Sequence, residues 1–137
     1  MGTFLIAYVT VAIIFLCLDA VWLRIMADMF YRPLLGDMLL ERFRLAPAVL
    51  FYLIYMAGVV KFAVLPTLGP GRWVAALFNG GLLGLVAYGT YDLTNQATLK
   101  VWPTAITIAD LCWGAVLTAV AALLARSLTN FILRALA

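Results

Sequence analysis

From Phe4 to Leu23 the chain reads FLIAYVTVAIIFLCLDAVWL, a run whose single charge is Asp19, and three more long apolar runs follow it. A bilayer core about 30 Å thick is crossed by roughly 20 apolar residues in a helix rising about 1.5 Å per residue. Four such spans with their connections use up 137 residues, and a chain 67% hydrophobic and 11% charged lies far from the balance of a soluble domain. The expected fold is all-α: an integral membrane four-helix bundle, one transmembrane domain over 1–137, with spans at about 4–23, 48–65, 73–91 and 103–124. The breaks carry their own signals. Ala46-Pro47 opens the second span, Pro66 and the Gly69-Pro70-Gly71 turn close it, and Pro103 suits a first helical turn.

The opening MGTFLIAYVT has no Lys or Arg before the apolar run and no small-residue cleavage pattern after it, so the first span is expected to be retained. Ile6 stands where a myristoylation signal has Ser or Thr. A net charge of +3, carried mostly in the connections, does not imply nucleic acid. Cys17 and Cys112 lie inside apolar runs without metal-ligand spacing and read as small core residues. The sequence has no histidine, which excludes histidine-ligated haem, a His-based zinc site and a His general base. No metal site is expected.

The first connection, about 24–45, is more than a loop. In LLGDMLLERF, residues Leu34, Leu35, Met38, Leu39 and Phe43 recur at helical spacing, while Asp37, Glu41, Arg42 and Arg44 take other faces. This pattern predicts an amphipathic segment in the membrane interface, started or broken by Pro33. In the third span Ala76, Gly80 and Gly84 recur every four residues, a small-residue face that lets helices approach closely. It serves packing inside one bundle or a homo-oligomer seam. Arg24, Arg32, Arg42, Arg44 and Lys100 fall in the first and third connections, against Arg72, Arg126 and Arg134 on the other side, with Lys61 snorkelling toward it. That count leans toward both termini outside.

Four antiparallel spans bring Asp19, Asp92 and Asp110 to the same face of the membrane. Ionisable groups in hydrocarbon cost about 2.5–3.5 kcal/mol on insertion scales, so all three should face inward. Gly84, Tyr88 and Asp92 share one face at intervals of four, as Thr107, Asp110, Gly114 and Thr118 share another. Asp19-Ala-Val-Trp22 and Asp110-Leu-Cys-Trp113 repeat one pattern, in which the indole one turn away can shield the acid or offer it an N–H across the bundle. The stretch YDLTNQATLKVWP, from Tyr91 where the third span is predicted to end, adds Thr94, Asn95 and Lys100. A purely structural network is the competing account: Asp19 pairing with Arg24 or Lys100, and Asp92, Thr94 and Asn95 capping the helix end. Tyr52 and Tyr55 read as packing or interface anchors.

The segments LDAVWL, FYRPLLG, LFYLIY, AYGTYDLTNQATLKVWP and IADLCWG together resemble the small bacterial membrane proteins of the domain of unknown function 2177 family, over nearly the whole chain. The resemblance implies a four-helix, multi-pass protein of the bacterial inner membrane, and it supplies no activity, substrate or cofactor. The leading functional expectation comes from the residues: a site that binds or processes a lipid-soluble molecule near one membrane surface. Its predicted ligand-binding residues are Asp19, Trp22, Tyr88, Asp92, Thr94, Asn95, Lys100, Asp110 and Trp113. Two others stay open: proton- or cation-linked transport by an oligomer through the Gly80/Gly84 face, and an accessory subunit of a larger membrane complex.

Overall fold

The computed structural model describes residues 2–40, 42 and 44–136. Four helical stretches in it are long and apolar enough to cross a membrane, Gly2–Met38, Leu45–Thr67, Trp73–Thr98 and Thr104–Ala135, and their main α-helices are α1 (Gly2–Met26), α2 (Leu45–Val59), α3 (Trp73–Thr98) and α4 (Thr104–Ala135). No strand occurs among the described residues, and the protein is an all-α, multi-pass membrane bundle. Connectivity sorts its two ends. One holds the C-terminus of α1 and the α3–α4 connection; the other holds the N-terminus of α1 and the α2–α3 turn.

Two helices continue through wide turns, and both do so beside a proline. After α1 a π-helical turn, Ala27–Tyr31, leads into Arg32–Leu35 with Pro33 inside it. After α2 a π-helical turn, Val60–Val64, leads into Leu65–Thr67 with Pro66 inside it. A proline has no N–H for the preceding turn and crowds its carbonyl, and the π turn widens the ladder where that bond is lost. The sequence therefore gives helix where an interfacial segment was predicted, but a shorter one. Gly36, at φ 49°, and a 3-10 turn over Gly36–Met38 end it, and Leu39 is extended. Glu41 and Phe43, assigned to that segment's polar face and apolar stripe, lie outside the described residues.

The core is a column of Ala7, Val11 and Phe15 from α1, Met56 and Val59 from α2, and Leu117, Ala121 and Ala125 from α4. Outward residues are apolar as well: Ile54, Phe78 and Phe131 are largely exposed, as lipid-facing positions should be. Cys17 and Cys112, predicted in the core, are exposed and free. They fall away from the buried faces that carry Phe15 and Asp19 on α1 and Gly114 and Thr118 on α4.

α3 and α4 form the tightest pair. A Cβ on Gly80 would come within 2.6 Å of the Thr118 carbonyl oxygen and 2.8 Å of Ala122 Cβ. One on Gly84 would overlap the Gly114 carbonyl, and one on Gly114 would overlap the Tyr88 ring. The small-residue face thus closes within one chain. It also fixes the register, since the face running Gly80, Gly84, Tyr88 meets Ala122, Thr118, Gly114 and carries Asp92 toward Asp110.

Candidate functional site

A spacing of three puts each aspartate and its tryptophan on one helix face, and α1 and α4 run antiparallel, so their two patterns meet head to tail. Trp22 and Trp113 stack with ring centroids 4.2 Å apart and planes 7° from parallel. Trp113 Nε1 donates across the bundle to Asp19 Oδ1 at 3.2 Å. Trp22 Nε1 donates to the Tyr31 hydroxyl at 3.1 Å, and Tyr31 donates in turn to Asp110 Oδ1. Each indole therefore serves the carboxylate of the other motif, one directly and one through a tyrosine. Tyr52 donates to the second oxygen of Asp19 at 2.5 Å. Asp19 thus takes its partners from α2 and α4 rather than from Arg24 or Lys100.

Asp92 is different. It is fully buried on α3, and neither Oδ1 nor Oδ2 has a hydrogen-bond partner. Asp110 lies within Coulombic reach of both Asp92 and Asp19, so the three acids form one electrostatic group. No basic side chain joins them: among the described residues the one ion pair is Arg32 with Asp28, at 2.9 Å on the surface. A buried polar group left unpaired costs about 1–3 kcal/mol, and more when charged. Three acids share one region, and Asp92 alone is without a donor.

The remaining predicted residues divide. Tyr88 is half-buried over Gly114, within Coulombic reach of Asp19 and Asp110. Asn95 is half-buried three residues beyond Asp92. Thr94 is exposed, and its hydroxyl donates to the carbonyls of Thr90 and Tyr91. Thr90 and Thr98 likewise donate four residues back, to Val86 and Thr94. With these hydroxyls turned onto their own helix, α3 runs on to Thr98, past the predicted end at Tyr91, so Asp92 lies inside the helix and caps nothing. Gln96 donates to Thr104 at 2.9 Å and ties down the following turn. Lys100 is exposed and forms no ion pair among the described residues. In the polar stretch after Tyr91, Thr94, Gln96 and Thr98 thus spend side-chain donors on the scaffold.

Two participants escaped the sequence reading, Tyr31 and Tyr52. Tyr31 ends the π turn, and the signal that could have found it is Pro33, two residues on. Tyr52 shares a face with Tyr55, whose hydroxyl pairs with Thr118 Oγ1 at 2.8 Å in the core. A shallow apolar groove of about 460 Å³ runs along the outer side of α3 against Leu111 of α4, lined by Leu85, Val86, Gly89, Thr90, Leu93 and Leu111, and Asp92 on the adjoining face of α3 is not among its walls. Gly89 leaves it open: a Cβ there would meet Leu93 Cδ1 at 3.8 Å and nothing nearer.

The chain matches no curated protein and no solved structure. A family model described as predicted membrane protein, domain of unknown function 2177, matches residues 4–127, which take in all three aspartates, both tryptophans and both π turns. The four spans and the match over nearly their full length make this chain a member of the domain of unknown function 2177 family of membrane proteins.

Proposed function

We propose that the acidic end of the bundle binds a lipid-soluble molecule whose apolar body lies in the α3–α4 groove and whose head, a hydroxyl or an amine, donates to Asp92. The observation that carries this reading is the fully buried carboxylate with two unpartnered oxygens. A head group with donors offsets the desolvation of that acid, and a cationic one also offsets the shared negative charge of Asp92 and Asp110. The groove gives the apolar body a shallow, lipid-facing bed, and Gly89, without a side chain, lies less than one helical turn along α3 from Asp92. Helical spans rather than a β-barrel suit the bacterial inner membrane.

Transport fits less well. Between the acidic end and the other surface the described buried residues are mostly apolar, Val11, Val59, Val60, Leu117 and Ala121, and the hydroxyls among them pair off as Tyr55–Thr118 and Thr10–Thr129, with no ionisable acid or base between them to carry a proton or cation onward.

The test is mass spectrometry of organic extracts from protein purified in mild detergent, comparing wild type with Asp92→Asn. Asparagine keeps the volume but offers a head group no charge and one acceptor fewer. The expected result is a near-stoichiometric donor-bearing compound in wild type, depleted in the variant at equal melting temperature. Identical extracts from the two proteins would end the proposal.

A further inference from the structure

The end opposite the aspartates carries charge of one sign. Residues 2–15, 56–84 and 118–136, which build it, contain no Asp or Glu, yet they supply Lys61, Arg72, Arg126 and Arg134. Arg126 is 8% exposed, and its guanidinium folds onto the α2–α3 turn: Nε donates to the Thr67 carbonyl at 2.7 Å and Nη2 to the Gly69 carbonyl. Asn130 Oδ1 accepts the Gly69 N–H at 3.3 Å, and Arg72 Nη1 donates to the Pro66 carbonyl at 3.1 Å. Gly69 and Gly71, at φ 103° and 75°, give the turn a course that side-chain-bearing residues rarely follow.

These bonds satisfy the carbonyls, and among the described residues no anion pairs with the cation. Carbonyl dipoles offset part of the desolvation of a buried guanidinium, but an opposite charge offsets far more. Arg126 Nη1 is not spent on the turn, and it is not among the buried groups that lack a partner, so it opens on the adjoining cleft. That cleft, of about 310 Å³, is lined by Gly69, Pro70, Gly71, Arg126, Asn130 and Arg134. Phe131 at its edge is 69% exposed, an apolar surface on α4 between the levels of Arg126 and Arg134.

We infer that this cleft is a binding site for the phosphate of an anionic phospholipid headgroup, held by Arg126 Nη1 and Arg134 with an acyl chain against Phe131. Basic pockets between membrane helices at headgroup depth take such lipids, and the guanidinium fork matches phosphate oxygens. The site is independent of Asp92, at the other end of the molecule.

The experiment is native mass spectrometry and thermal melting of delipidated protein titrated with phosphatidylglycerol, phosphatidylcholine or inorganic phosphate. Phosphatidylglycerol is expected to stay bound and raise the melting temperature, with the other two weaker. Arg134→Gln, which touches no turn carbonyl and keeps the fold, is expected to weaken phosphatidylglycerol binding roughly fivefold. Lys61→Gln, an exposed charge outside the cleft, is expected to leave it unchanged. Equal loss in both variants would overturn the site in favour of diffuse surface charge. Equal protection by inorganic phosphate would overturn the lipid assignment.

Discussion

The two ends of this bundle bury polar groups in opposite ways. At the basic end Arg126 is seated on the carbonyls of Thr67 and Gly69, Thr67 donates to Ala63 and Val64, and Thr129 pairs with Thr10 at 3.0 Å. At the acidic end Asp19 and Asp110 are held by tyrosine and tryptophan donors, while Asp92 is held by none. Burial alone therefore does not tell scaffold from site. The distinction lies in whether every donor and acceptor has been used. At the basic end the turn carbonyls are satisfied and what is left over is one donor, Arg126 Nη1, whereas at the acidic end a whole carboxylate is left over.

The contrast presupposes one rigid frame between the ends, and the α3–α4 seam supplies it. Gly84→Leu drives a side chain into the Gly114 backbone, which cannot yield as a flexible side chain would. The expected cost is about 3 kcal/mol or more, read as a collapse of the detergent melting temperature and loss of lipid retention at both ends together. Next comes Arg126→Leu. It strips a charged donor from two turn carbonyls, with an expected loss of roughly 2–3 kcal/mol in thermal melting and no change in what the acidic end retains. Were the acidic end to change as well, the two ends would have to be treated as one coupled unit.

Within the acidic end the same reasoning ranks side chains. Asp19→Leu leaves the Tyr52 hydroxyl and the Trp113 indole without an acceptor, and about 2 kcal/mol of stability should go with them. Thr94→Ala removes a hydroxyl that serves its own helix, so melting should shift by less than ~0.5 kcal/mol and ligand retention should hold. A large loss of retention there would return Thr94 to the site.

These differences explain what could be read from sequence. The four spans, the glycine seam and the meeting of three aspartates follow from hydropathy, spacing and antiparallel order, which act over whole helices. The cross-bundle indole bond was foreseeable for the same reason, since one motif recurs on two neighbouring antiparallel spans. Tyr31 and Tyr52 were not, because each reaches a carboxylate of another helix with a long side chain, and Tyr31 also depends on the local π turn. Thr94 and Lys100 show where a polar residue type says less than its contacts. Their polarity suggested a wall of the site, whereas one is satisfied on its own backbone and the other is exposed beyond the helix end.

Whether Asp92 is kept for binding rather than for folding can be measured without knowing the ligand. Melting temperatures of delipidated Asp92→Ala and Asp19→Ala, in the same detergent as wild type, apply the same truncation to two buried acids at one end of the molecule. Asp19→Ala should melt well below wild type, because it strands two donors. Asp92→Ala strands none and removes an unpartnered carboxylate, so it should melt at or above wild type. A fall for Asp92→Ala as large as that for Asp19→Ala would mean the carboxylate has a structural partner, and the central claim would be wrong.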